Sequence, residues 1–284
     1  MGLFYLAVVT MLKTRNYDGV TRFDLGRSFA GRCFYWTTAY LVDGILVDSG
    51  CAHSAIELED ALASEPIQFI VNTHSHEDHI GANGLLGNTR EGLEIFAHPS
   101  ALPVLGEPRE KQPLQLYRRI LWGWPEASIG QPLEEGAVME TGKHAFEVIY
   151  TPGHSLDHIC LYEPRQSWLF SGDLFVGGRD RVLRAGCDIW GIIASLKKIA
   201  SLPLRWLFPG SARVRQNPAD ELRRKISYLE ELGAQILELH QEGRSVDEIV
   251  PAVCGGPMQI ELFTLGHYAR RHLVLSYLSM NEGG

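Results

Sequence analysis

Three histidines and an acidic pair stand within the six residues His74-Ser75-His76-Glu77-Asp78-His79, directly after the apolar run 69–72. Imidazole nitrogens and carboxylate oxygens are the donors that zinc, manganese and iron accept. A loop leaving a buried strand can aim several of them at one point. In an extended loop alternate residues face the same way, so His74 and His76 present two ligands to one side. The segment reads as a metal-binding loop at a strand end rather than as a solvated polar loop.

Three further segments share this placement after an apolar run. Asp48 follows 45–47 and precedes Ser49-Gly50, Thr151-Pro152-Gly153-His154 follows 145–150, and Ser171-Gly172-Asp173 follows 168–170. In this order the four segments resemble the motifs of the metallo-β-lactamase-fold superfamily, in its glyoxalase II and thioesterase-like branch, over residues 48–173. The resemblance implies that His74, His76 and His154 hold one divalent metal ion, that Asp78, His79 and Asp173 hold a second, and that Asp48 supports them from behind. It implies zinc first, with manganese and iron as alternatives. A water bound to such an ion has its pKa lowered to about 7, giving a hydroxide nucleophile that Asp78 orients.

One motif departs from the pattern. Relatives with two metals commonly carry Pro-Gly-His after a later strand; here 204–208 is followed by Pro209-Gly210-Ser211, and a hydroxyl is a poorer ligand than an imidazole. The second site is then weak, empty, or completed by a histidine from elsewhere, for which His267 and His272 are the candidates. His158, four residues after His154, is expected either to support the site or touch substrate, or to be an ordinary hydrogen-bonded histidine. His53, His98, His144 and His240 have no partner pattern and read as structural.

Elements that would position these loops follow from patterning. Strand-like runs at 20–25, 34–42, 45–48, 69–72 and 94–97, with a helix at 54–63, are echoed by runs at 145–150, 159–162, 168–170 and 205–208, with a helix at 189–200. Strands mixed with helices predict an α/β (α+β) fold, and the resemblance sharpens it to an αββα sandwich with a C-terminal helical extension. Residues 1–215 form the metallo-β-lactamase-like domain in this reading and 216–284 the extension packed on it. Within the domain, 98–131 interrupts the pattern with Leu114, Tyr117, Ile120, Leu121 and Trp124 at helical spacing. It reads as a helical insert, either a lid supplying Tyr117, Trp122 and Trp124 to a substrate pocket or a helix that only packs on the sandwich.

Asn217 as N-cap and Pro218 at the first helical position predict a helix whose stripe Leu222, Ile226, Leu229, Ile236 and Leu239 stops at Gly243. A second helix starts at Ser245, with Glu248 closing a capping box, and ends near Pro251; a third spans 258–280.

Composition narrows the function classes. The chain has 284 residues, 45% hydrophobic, ample for a buried core. Its net charge of −8 argues against a broad nucleic-acid-binding face, despite the local basic cluster Arg179, Arg181 and Arg184 near Asp173. Five unpaired-looking cysteines suit a reducing cytoplasm. The apolar start 1–12 is shorter than the roughly 20 residues a membrane span needs, and reads as an extra strand or an upstream start, with Met11 as the alternative first residue. A small-molecule substrate is expected, with a homodimer left open.

The leading reading is a metal-dependent hydrolase of an ester, thioester, lactone or amide. The alternatives are a mononuclear iron oxygenase of the persulfide dioxygenase type, held by His74, His154 and Asp173, and a non-catalytic metal-binding regulatory protein.

Overall fold

The computed structural model describes residues 8–29 and 32–279. Its first sheet runs β1 (Val8–Tyr17), β2 (Val20–Phe29), β3 (Arg32–Val42), β4 (Ile45–Val47), β5 (Phe69–Val71), β6 (Glu94–Ala97) and β7 (Gln131–Pro132), neighbours in sequence being neighbours in space. The second is built from β8 (Val138–Glu140), β9 (Ala145–Tyr150), β10 (Ile159–Glu163), β11 (Trp168–Gly172) and, beyond the two-residue β12 (Leu183–Arg184), β13 (Trp206–Pro209) and β14 (Arg215–Gln216). A separate ribbon pairs β12 with β15 (Tyr268–Ala269). The expected N-terminal strand is present as β1 from residue 8; residues 1–7 lie outside the described part.

Successive side chains of a strand face opposite ways, and the core divides accordingly. Ile45, Val47 and Val71 meet Phe146, Ile159, Leu161, Phe170 and Phe208 between the sheets. Leu46 and Ile70 point outward against α1 (Ala55–Ala61) and α2 (Asn83–Thr89), through Leu58, Leu62 and Leu86. On the far side Cys160, Leu169 and Leu207 face helical cover. Both strand faces are therefore apolar, which is why the runs read as nearly continuous. Each fully buried aliphatic side chain contributes roughly 1.5–3 kcal/mol. The product is an αββα sandwich.

The insert is not one helix but three short ones, α3 (Leu102–Gly106), α4 (Pro108–Lys111) and α5 (Leu116–Leu121), because Pro103 and Pro108 restart the backbone and Pro113 blocks extension. α6 (Ile189–Ala200) opens with the Asp188 carboxylate accepting from the Trp190 amide at 3.0 Å.

The tail packs on α6 and the second sheet. α7 (Ala219–Gln241) buries Leu222, Ile226, Leu229 and Ile236, as its stripe predicts. Its start lies one residue later than expected: Asn217 takes a left-handed conformation (φ 51°) and Pro218 becomes the flanking residue. α8 (Val246–Cys254) has the Ser245–Glu248 capping box but continues through Pro251, ending instead at Gly255.

The expected third helix is broken into α9 (Gln259–Phe263) and α10 (Arg270–Leu278). Thr264 accepts the Tyr268 amide on its hydroxyl at 3.1 Å, Leu265 and Gly266 adopt positive φ, and residues 268–269 pair with β12. Among the described residues no helix is long and apolar enough to cross a membrane.

Candidate metal centre

β4 and β5 run parallel, as do β11 and β13, so the loops that follow them leave at the same ends of their sheets. Asp48, the loop 72–79, Asp173 and Ser211 come from these four ends; His154 follows β9. A buried polar network holds the central loop. Ser49 N–H and Asn72 Nδ2 both donate to the His79 carbonyl, at 2.7 and 3.2 Å, and Asn83 Nδ2 donates to Asn72 Oδ1 at 2.7 Å. The Asp157 carboxylate accepts the Ser75 amide at 2.8 Å. Gly81 lies so close to the 51–52 backbone that a Cβ would stand 2.2 Å from the Ala52 nitrogen.

The five loops converge on one cluster. The ring centroids of His74 and His79 are 4.0 Å apart and those of His74 and His154 4.9 Å, while His76 Nδ1 lies 3.1 Å from His154 Nε2. Ligand atoms of His74, His76 and His154 all lie within 4.8 Å of one another, and so do those of His74, His79 and Asp173. Asp78 joins from one side, its Oδ2 4.0 Å from His79 Nε2.

Asp48 decides which nitrogens face inward. Its carboxylate accepts Thr73 N–H at 2.7 Å and Thr73 Oγ1–H at 2.9 Å. With its proton so committed, Thr73 Oγ1 must accept from His74 Nδ1, 3.0 Å away. His79 Nδ1 donates to Asp48 at 2.7 Å. Both rings are thus left with Nε2 toward the cluster, and both Nε2 atoms are buried without a hydrogen-bond partner among the described residues. Orphaned buried nitrogens are costly, and a carboxylate behind an imidazole is the usual support of a metal ligand.

Charge in the cluster also fits a divalent ion. Burial holds His74 and His76 well below the usual imidazole range and His154 down to about 3, leaving lone pairs free for a metal. His79 differs: burial opposes its charge, but Asp48, Asp173 and Asp78 outweigh it and hold the ring well above its ordinary value. Burial, opposed chiefly by His79, pushes Asp78 up to about 7. Asp173 stays below the usual carboxylate range because His79 and His154 outweigh its burial. Several buried carboxylates facing few cations are the donor set a metal ion completes.

His158 stands behind this cluster rather than in the cavity. Its Nδ1 faces Thr151 Oγ1 at 2.8 Å and its Nε2 accepts the Asp173 amide at 3.2 Å, so it braces the turn that carries Asp173. Ser211, in the fifth position, donates to Asp173 Oδ1 at 3.2 Å. Neither candidate replacement reaches the cluster. His267 Nδ1 is 2.7 Å from the Tyr117 hydroxyl, and His272 Nε2 is 2.9 Å from the Gly266 carbonyl oxygen.

A cavity of about 400 Å³ opens above His76, Asp78, His154, Asp173 and Ser211. Tyr117 and Trp122 of the insert line it, as do Ile260, Phe263 and Tyr268 of the tail. Trp124 does not; it sits between the guanidiniums of Arg109 and Arg119, about 6 Å from each. Sequence reading missed Tyr35, Arg118 and Tyr268 on the cavity wall. Arg118 was foreshadowed by Glu77, an acid inside the motif that is fully buried and that Arg118 grips with Nε at 2.6 Å and a second bond from its terminal nitrogen.

The family model for the metallo-beta-lactamase superfamily matches residues 37–211, a span that contains all five loops. The chain belongs to the metallo-beta-lactamase superfamily. Among its relatives in that superfamily, a Caenorhabditis elegans protein named beta-lactamase-like protein 2 homolog is 27% identical over 263 residues, 88% of this chain and 81% of that one. A hydroxyacylglutathione hydrolase of Legionella pneumophila (strain Paris) is 32% identical over 152 residues, 52% of this chain and 50% of that one, so the chain spans about half its length. The crystal structure of a metallo-beta-lactamase family protein from Thermus thermophilus superposes with a TM-score of 0.65 at 19% identity, covering 97% of this chain and 94% of that one, and shares the fold.

Proposed function

We propose that this superfamily member is a metal-dependent hydrolase of a small-molecule ester or thioester. The observation that carries the reading is the convergence of His74, His76 and His154 beside Asp78, His79 and Asp173 at the floor of a cavity, with the Nε2 atoms of His74 and His79 buried without a hydrogen bond. The hydroxyacylglutathione hydrolase relative supports hydrolysis as the reaction class.

His74, His76 and His154 would hold one ion, and His79, Asp78 and Asp173 a second, zinc being the first choice for nitrogen-rich ligands. Such ions supply a nucleophilic hydroxide at neutral pH and polarise a carbonyl. The protein groups do the positioning. Asp48 fixes the tautomers of His74 and His79, and His158 holds the Asp173 turn. Asp78 lies on the cavity floor, where its carboxylate can orient a water.

Elemental analysis of chelator-free protein, joined to a panel of ester and thioester substrates, tests the reading. Zinc or manganese in the preparation, with turnover lost in His76→Ala, is the expected result. About one iron per chain with oxygen uptake and no hydrolysis would overturn it in favour of the oxygenase. Metal content without turnover of any substrate or of oxygen would favour the binding role.

A further inference from the structure

Three cationic side chains line the cavity, Arg118, Lys225 and Arg184, and two of them are neutralised by a carboxylate. Arg118 is clamped to Glu77, and Lys225 Nζ is 2.6 Å from Asp180 Oδ2. Arg184 has no such partner among the described residues: no carboxylate lies within ion-pair distance, and its Nε is buried without any hydrogen-bond acceptor. A buried guanidinium Nε–H without an acceptor is a costly arrangement unless an anion completes it.

Its placement is constructed rather than loose. Arg184 lies on β12, in register with Tyr268 of β15, and β15 ties the tail across the cavity. Arg184 lines the cavity together with His76 and His154 of the metal loops and with Tyr117 and Tyr268, and the Cys187 thiol, three residues on, donates to the His154 carbonyl at 3.1 Å. Apolar side chains share the lining, among them Leu121 and Trp122 of the insert and Ile260 and Phe263 of α9. Phe263 remains 57% exposed although it packs on Tyr117 with ring centroids 5.7 Å apart.

We propose that Arg184 is the specificity determinant of this cavity, and that the substrate carries, besides its scissile bond, a carboxylate or phosphate that Arg184 binds and an apolar body that lies against Leu121, Trp122, Ile260 and Phe263. This rests on the hydrolase reading for the scissile bond alone. The anion contact is a two-bond fork that lysine reproduces only as a point charge and glutamine not at all.

Calorimetric titration of the full chain, as purified and again after dialysis against EDTA, tests the contact without turnover. The probes are phenylbutyrate, phenylpropylphosphonate and the neutral phenylbutyramide, whose apolar bodies are alike. Wild type is expected to bind one or both anions roughly tenfold or more tighter than the amide in both preparations, the better anion identifying the group. Arg184→Gln should bind all three alike, and Arg184→Lys should keep part of the preference, with circular dichroism unchanged in each. Preference retained in Arg184→Gln, or lost from wild type on EDTA treatment, would overturn the proposal and assign the anion to the metal centre. Binding discrimination without hydrolysis of any substrate would leave the Arg184 contact standing while removing the hydrolase reading, so the two fail separately.

Discussion

At the scale of single residues, Asp48 controls more of the centre than its distance from the cavity suggests. One carboxylate orders Thr73, and through Thr73 and directly it fixes two imidazoles. Asp48→Ala and Asp48→Asn should each weaken metal binding roughly 10- to 100-fold, read by competition with a chromophoric chelator. Unchanged affinity in both would show that the rings need no such guide. What was legible here was which side chains would gather, since His74, His76, Asp78, His79, His154 and Asp173 are close in sequence or follow apolar runs. Tyr35 and Tyr268 were not legible, because nothing near either residue in sequence hints at a partner nearly two hundred residues away or on another layer. Arg184 stood in the basic cluster noted beside Asp173, but only the fold shows that no acid among the described residues pairs with it.

At the scale of elements, the insert is fastened to the motif loop by an ion pair rather than by packing alone. Arg118 of α5 reaches Glu77, and both are almost wholly buried. Removing one partner of such a pair leaves an uncompensated buried charge, so Glu77→Gln should cost about 3 kcal/mol or more in urea denaturation. Adding Arg118→Met should restore part of that loss, whereas a single-variant cost below about 1 kcal/mol would mean that water reaches the pair. The loop 72–83 makes a second demand. In Gly81→Ala the new methyl would meet the backbone of Cys51 and Ala52, which cannot rotate away, and a loss of roughly 1–3 kcal/mol is expected from the denaturation midpoint. Strands and the amphipathic α7 were readable because their burial repeats with the period of the element. The break between α9 and α10 was not, since it depends on a left-handed Leu265 and on a pairing with β12 some eighty residues earlier.

At the scale of the whole molecule, the tail and the second sheet share one core. Leu222, Leu229, Ile236 and Tyr277 lie in the same cluster as Leu169, Ile193 and Leu207. Thermal unfolding should therefore show a single transition, with circular dichroism and tryptophan fluorescence coinciding; a separate early step confined to residues 216–279 would contradict this. Saturating the centre with metal should raise the midpoint and EDTA should lower it, because an ion that binds only the folded chain stabilises it by mass action.

The ribbon of β12 and β15 has a consequence for the order in which the molecule is made. Synthesis proceeds from the N-terminus, so every loop of the metal centre, through Ser211, emerges before Tyr268 and Ala269 can cross to β12. The walls of the cavity are thus spelled out in the chain before the strand that closes over them. Order of synthesis alone leaves that strand until the end, when the same tail also completes the core of the second sheet.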